Sequence, residues 1–183
     1  MVRFKKEYGR RANNMQKTHD VIVVSLAERP ELAGRVGKAC FEQWPEIAVH
    51  DFGIQSADEF AAGLLQNPGL PGTLVALVDG TYAGSVIVHQ CSMPHNLPEL
   101  TPWLACLVVE PPLRNRGIGS HLVRCARDLA HNELGFGELF LWTDWSARWQ
   151  ADLYGRHGFR PVAIVEYFGI DAVVMRSSAS SHQ

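Results

Sequence analysis

Arg114-Asn115-Arg116-Gly117-Ile118-Gly119 is the stretch on which the fold turns. Before it lies an apolar run, Trp103-Leu104-Ala105-Cys106-Leu107-Val108-Val109, that reads as a strand. After it, from about Gly117 to His131, Leu122, Val123, Ala126, Leu129 and Ala130 recur on one face of a helix. A strand, a turn with two glycines and a helix N-terminus make a place to hold a phosphate. The first helical N–H groups have no partner within the helix, and the helix dipole favours an anion there. Gly117 and Gly119 let an oxyanion approach the backbone, and Arg114 and Arg116 add charge that suits a diphosphate.

The order of the parts narrows the ligand. A Walker-type loop would end in Gly-Lys-Ser/Thr, which does not follow here. A dinucleotide fingerprint would place a third glycine where Leu122 stands. Entered from V-V-E-P, the spacing Arg-x-x-Gly-x-Gly is instead similar to the acetyl-CoA-binding motif of the GNAT superfamily of N-acetyltransferases. A second segment, Leu153-Tyr154-Gly155-Arg156-His157-Gly158-Phe159, resembles that family's late Leu-Tyr-x-x-x-Gly-Phe signature. The strand-like run Glu138-Leu139-Phe140-Leu141-Trp142-Thr143 separates the two motifs, as the family order requires. The likeness covers residues 20 to 175, with its specific motifs between 103 and 159.

The resemblance implies an α/β mixed fold. Its core would be a central, mostly antiparallel sheet of six to seven strands, flanked by helices on both faces. It implies an acetyl-CoA-dependent N-acetyltransferase that moves the acetyl group to a primary amine by direct attack in a ternary complex. In the family, the fourth strand bulges and splays from the fifth, and its freed backbone pairs with the pantetheine arm. By position, Leu107, Val108 and Val109 would supply those groups, while Arg114, Asn115, Arg116, Gly117, Ile118, Gly119 and Ser120 would hold the diphosphate. Tyr154 aligns with the tyrosine that protonates the departing thiolate. A phenol with an ordinary pKa near 10 carries its proton at neutral pH.

Two positions depart from the family pattern. Trp103 stands near the place of the strand glutamate that serves as general base. Glu99, just upstream, is the nearest carboxylate; Asp144, His89 and His95 are further candidates, and Glu110 lies on the diphosphate side. Ala147 and Gln150 replace the asparagine and alanine found seven and four residues before the tyrosine. A sensor that binds acyl-CoA without turnover is therefore the competing reading.

The acceptor would sit between the first two helices and the hairpin loops. Trp44, His50, Phe52, His95, Trp142, Trp145 and Trp149 fall in those regions, where aromatic rings could wall a cation or serve as ordinary core.

The chain in order reads as strand Val21–Val24, helix Pro30–Trp44 stopped by Pro45, and a second helix opened by the capping box Ser56 to Glu59. Strands Thr73–Val78 and Tyr82–Gln90 follow, joined by Asp79-Gly80, then a proline-rich loop to the Trp103 strand. Ser146–His157 reads as helix, and 161–165 and 171–175 as the last strands.

The 183 residues suit one domain, 20–176, with a basic tail over 1–19 expected to be disordered and a frayed end over 177–183. Net charge is −2, but residues 1–19 carry +5 and the rest −7. The acidic body favours an amine or peptide substrate and gives no support to a nucleic-acid partner. Met15 offers a second start just before the first strand. No apolar run is long enough for a bilayer, so no membrane partner is expected. Four cysteines, Cys40, Cys91, Cys106 and Cys125, without a C-x-x-C pair, read as reduced cytoplasmic thiols rather than a metal site. A homodimer is the expected assembly if the chain follows its family.

Overall fold

The computed structural model describes residues 20–66, 72–90 and 97–179. The basic tail, His95 and Cys91 lie outside the described residues. Among the described residues, seven strands hydrogen-bond in the order β1-β2-β3-β4-β5-β7-β6, and five α-helices accompany them. They are β1 (Val21–Ser25), β2 (Gly72–Val78), β3 (Thr81–His89), β4 (Trp103–Val109), β5 (Glu138–Asp144), β6 (Arg160–Tyr167) and β7 (Ile170–Ser178). The helices are α1 (Ala33–Gln43), α2 (Pro45–Phe52), α3 (Ala57–Gln66), α4 (Ile118–Asp128) and α5 (Arg148–Arg156). β1 with β2, β5 with β7 and β6 with β7 pair antiparallel, and β4 with β5 parallel, which agrees with the mixed, mostly antiparallel sheet expected.

The chain sorts into two compact units. The first holds residues 20–66, Thr73–Ser85 and Val108–Leu122. Here β1 pairs with β2 from Val21↔Val78 to Ser25↔Leu74. Leu74, Val75, Ala76 and Leu77 are all buried, so β2 reads as a continuous apolar run rather than an alternating one. Asp79 (φ 50°) and Gly80 (φ 77°) turn the hairpin with two left-handed residues, the backbone that a tight two-residue turn needs. Helix α1 buries Ala33, Val36, Gly37 and Cys40.

Pro45 does more than end that helix. It opens α2 in the first turn, where its fixed φ fits and its missing N–H is not needed. The sequence expectation of a simple stop is corrected accordingly. Gly53 (φ 66°) closes α2, its N–H donating to the Val49 carbonyl at 3.1 Å. Half of the capping box on α3 forms as expected, the Glu59 N–H donating to Ser56 Oγ at 3.2 Å, while the Glu59 carboxylate accepts the N–H of Gln55, one residue before the N-cap, at 2.7 Å.

The second unit comprises Gly72, 86–90, 97–107 and 123–179 of the described chain. β5 and β7 pair over their full length, and β6 returns on β7 through the turn Phe168-Gly169. Trp103, Phe140 and Val174 form a buried cluster, joined by Leu97, Leu100, Trp142, Ala163 and Val165. Helix α4 opens with Ile118 rather than Gly117 and passes into a wider turn over Leu129–Glu133, closed by the Leu134 N–H on the Leu129 carbonyl at 3.0 Å. Its expected face is the buried one: Leu122, Val123, Ala126, Leu129 and Ala130 are all at most 4% exposed. β7 runs to Ser178, two residues into the stretch expected to fray. Ser177 is fully buried because its hydroxyl accepts Arg127 Nε–H at 2.7 Å and meets His131 Nε2 at 3.0 Å.

Candidate active site

The glycine turn has the backbone an anion site requires. The one-turn helix Pro111–Leu113 leads out of β4 and hands the chain to Arg114 in an extended conformation (ψ 160°). Asn115 (φ 61°) and Gly117 (φ 82°) are both left-handed. Nothing lies within 4 Å of where a Cβ on Gly117 would stand, so the turn is open to solvent there. The helical ladder of α4 begins with the His121 N–H on the Gly117 carbonyl at 2.9 Å. The N–H groups of Ile118, Gly119 and Ser120 therefore precede the ladder at the positive end of the helix dipole. Arg114 donates from Nε to the Val109 carbonyl at 3.0 Å, which ties the turn to the end of β4 and leaves the Nη groups for an anion.

Glu110 follows β4 and forms an ion pair with Arg35 of α1 at 3.3 Å. That guanidinium also lies over the Tyr82 ring, 5.6 Å from its centroid. Glu110 is thus held as a structural anchor beside the turn.

Gly84 on β3 sets the approach of that strand to the end of β4. A Cβ there would stand 2.5 Å from the Val108 carbonyl oxygen and 3.2 Å from the Val109 Cα. A backbone contact that close cannot be relieved by a rotamer change. Gly84→Ala is expected to cost about 2 kcal/mol, through overpacking. A melting experiment should read this as a fall in Tm of roughly 5 °C. Sequence reading passed over Gly84, although a lone glycine inside a strand is a sign of close backbone approach.

β4 and β5 run parallel and share one registered pair, Trp103↔Phe140, reinforced by the Phe140 N–H on the Pro102 carbonyl at 2.9 Å. Three residues along β4, Cys106 takes φ 50°. A non-glycine residue in that region costs roughly 1 kcal/mol and persists only where its surroundings hold it. Among the described residues β4 shares no further registered pair with β5, and the left-handed residue kinks β4 at Cys106. Leu107 lies just past this kink, half-buried.

Trp103 occupies the core and not a site: it is 1% exposed, stacks 5.8 Å from Phe140, and its indole N–H donates to the Leu100 carbonyl. Glu99 is exposed in the segment just before it. Asp144 accepts the Ser146 N–H at 2.7 Å and so caps the turn into α5, a local structural task. Gln150 accepts a hydrogen bond from the buried Thr143 hydroxyl, which fixes α5 to β5. Neither role was visible in sequence, because both partners are chosen by the turn geometry.

Burial pushes the His89 imidazole down from its ordinary value of 6.5 to about 4. It is neutral at pH 7 and weakly basic, a poor general base. The unfolded chain takes up a proton at His89 near pH 6.5, while the folded chain resists until about pH 4. Stability from this group is therefore full above pH 6.5 and is lost as pH falls toward 4. The loss should reach up to about 3 kcal/mol. Urea unfolding at pH 7 and at the acid end should show that slope, and His89→Gln should flatten it.

Tyr154 lies on α5, half-buried, with its ring 6.0 Å from Phe159 in an edge-on contact. Burial raises its phenol to about 12, so it is fully protonated at neutral pH. The neighbouring His157 is pushed below its usual range by burial and by Arg127, Arg124 and Arg156. Gly158 (φ 83°) ends the segment, over the Arg127 guanidinium. Of the aromatic residues expected around the acceptor, Trp142 packs edge-on against Tyr167 at 4.9 Å, while Trp145 and Trp149 are exposed.

Residues 26–159 match the model of the acetyltransferase (GNAT) family. The chain belongs to that family. Membership makes it an acyltransferase whose donor is acetyl-CoA. Solved structures agree in fold. A single-residue variant of the spermidine N-acetyltransferase SpeG from Vibrio cholerae superposes with a TM-score of 0.70 at 15% identity, over 87% of this chain and 94% of that one. The yncA protein of Salmonella typhimurium, solved with its cofactor acetyl-CoA, gives 0.67 at 15% identity over 88% and 95%. Ard1 from Thermoplasma volcanium gives 0.63 at 15% identity over 87% and 97%. No curated protein matches the chain. Among the described residues, no helix of this family member is long and apolar enough to cross a membrane.

Proposed function

We propose that this chain transfers the acetyl group of acetyl-CoA to a primary amine by direct attack in a ternary complex. The observation that carries the reading is the open, left-handed turn at Gly117 feeding the N-terminus of α4, with Arg114 anchored beside it. Arg114, Asn115, Arg116, Gly117, Ile118, Gly119 and Ser120 hold the diphosphate. Leu107, Val108 and Val109, past the Cys106 kink, offer backbone groups to the pantetheine arm.

In the reaction the amine nitrogen bonds to the thioester carbonyl carbon and the carbon–sulfur bond breaks. The nitrogen loses one proton and the sulfur gains one. Tyr154 supplies the proton at sulfur. A phenol near 12 faces an ordinary thiol near 8.5, which would make that transfer uphill in water. Burial removes much of the gap, since it penalises a thiolate as it does a phenolate. The Cys125 thiol of this chain, pushed up to about 11 by burial, shows the size of that effect. Glu99, exposed and upstream of β4, is the carboxylate we assign to the nitrogen proton, through water.

The acceptor is a small-molecule or peptide amine drawn by the acidic body, and the chain works in the cytoplasm, where its thiols Cys40, Cys106 and Cys125 stay unbridged. The test is thiol release from acetyl-CoA against polyamines, aminoglycosides, amino acids and peptides. Turnover with one amine class, weakened in Glu99→Gln at low pH, supports the reading. Tight CoA binding without turnover on any acceptor would favour a sensor.

A further inference from the structure

Arg127 on α4 is a half-buried cation with no carboxylate partner among the described residues. An arginine so placed needs its charge and its N–H groups met in another way.

A serine meets the Nε. The Nε–H donates to Ser177 Oγ at 2.7 Å, and Ser177 is fully buried in β7. His131, in the wide turn that follows α4, reaches the same hydroxyl with Nε2 at 3.0 Å. Its Nδ1 faces the Phe136 carbonyl at 2.8 Å. A carbonyl only accepts, so Nδ1 carries the proton, and in the neutral ring Nε2 accepts the Ser177 O–H. Each proton is then used once: Arg127 donates to Ser177, Ser177 to His131, and His131 to Phe136. Donors that all run in one direction hold the guanidinium in one place.

The end of α5 meets the rest of the side chain. A Cβ on Gly158 would stand 3.6 Å from Arg127 Nη2 and 3.7 Å from both Cζ and Nη1. Three near-equal distances put Gly158 over the flat face of the guanidinium, not at its edge. Gly158 follows the C-terminus of α5, where the helix dipole is negative and a cation is favoured. The charge is felt there, since His157 is held below its usual range by burial first and by Arg127 next. Tyr154 opens this last turn: its carbonyl accepts the N–H groups of His157 at 2.9 Å and Phe159 at 3.2 Å. The buried Phe159 ring then meets the Tyr154 ring edge-on.

We infer that Arg127 is a positioning residue for the transfer: clamped by Ser177, it seats the last turn of α5 and so fixes where the Tyr154 hydroxyl stands. The inference rests on the proposed role of Tyr154 as the proton source at sulfur. Arg127 acts on the placement of the phenol and not on its proton affinity, which burial alone shifts. Ser177, in the last strand, thereby bears on chemistry carried by α5.

The test is a kinetic cycle on the full chain with Arg127→Met, Tyr154→Phe and the pair, run beside Ser177→Ala. Methionine keeps much of the side-chain length and removes the charge, the flat face and the Nε–H. Arg127→Met and Ser177→Ala should each lower kcat about tenfold, as a slightly misplaced acid would, with KM for acetyl-CoA within about twofold. Ser177→Ala leaves the cation present but unclamped, so it makes the same test if Arg127→Met folds poorly. In the Tyr154→Phe background either change should lower the rate no further, because no hydroxyl is left to place. Arg127→Lys keeps the charge without the flat face or the Nε–H, and should not restore the rate. A fluorine spectrum of the chain labelled with 3-fluorotyrosine needs no turnover. Its Tyr154 resonance, assigned by its loss in Tyr154→Phe, should shift or broaden in Arg127→Met and Ser177→Ala. An equal fall in kcat with and without the Tyr154 hydroxyl, or a resonance that neither variant moves, would overturn the inference and leave Tyr154 as the acid. A wild type without turnover, or a Tyr154→Phe variant as fast as wild type, would sink the proposed reaction or its acid, and the inference with them. Those failures show before any Arg127 variant is made.

Discussion

Gly117→Glu is expected to lower acetyl-CoA turnover by a thousandfold or more while leaving the fold intact. Two costs add. The position has φ 82°, where any side chain is strained by roughly 1–2 kcal/mol. The new carboxylate would then stand where the diphosphate is proposed to bind. Two unit charges 4 Å apart near a protein surface repel by about 4 kcal/mol. Each 1.36 kcal/mol is tenfold, so the sum exceeds three orders of magnitude. The fold should survive because nothing lies within 4 Å of the added Cβ. Gly117→Ala separates the two costs: it carries only the strain, and about tenfold loss is expected. Calorimetric titration with CoA should show the loss in binding, and thermal melting should show a cooperative transition lowered only by the few degrees that the strain implies. A glutamate variant within tenfold of wild type would mean that the turn does not hold the diphosphate.

Tyr154→Phe is expected to reduce kcat about a hundredfold with KM for acetyl-CoA changed by less than about threefold, the range for loss of a positioned general acid. Phenylalanine keeps the edge-on ring contact with Phe159 at 6.0 Å, so packing is preserved and only the hydroxyl is removed. The pH profile gives a second check. With the phenol raised to about 12, Tyr154 stays protonated across the whole practical range, and the wild-type rate should show no falling alkaline limb below about pH 11. A limb near pH 10 would mean that the hydroxyl is more solvated than its surroundings imply. A Phe variant with unchanged kcat would move the proton source elsewhere.

What sequence could reveal followed from how local each determinant is. β4 was legible to the residue, Trp103 to Val109, because seven consecutive apolar residues bounded by proline and a polar turn leave little else. The buried face of α4 was legible for the same reason, since helical spacing is written in the chain itself. Helix α2 was not, because one residue, Pro45, both ends a helix and begins another, and only the trajectory after Trp44 shows it. The left-handed backbone of Cys106 has no signature, as cysteine carries no preference for that region. Candidate bases were hardest to rank. Asp144 and Glu110 look alike as carboxylates in sequence, yet one caps a turn and the other pairs with Arg35, a residue 75 positions away. Long-range partners decide such roles, and a linear reading does not contain them.

The fork between β4 and β5 bears on how far such a chain can diverge. Past Trp103↔Phe140 the described residues of the two strands share no further registered pair. If those main-chain atoms are what meet the donor, recognition depends on the path of the backbone and hardly on which side chains Leu107, Val108 and Val109 carry. Selection then has little to hold fixed in the letters of this strand beyond their bulk and polarity. A fold shared with SpeG and yncA at only 15% identity is what drift under so loose a constraint would leave behind.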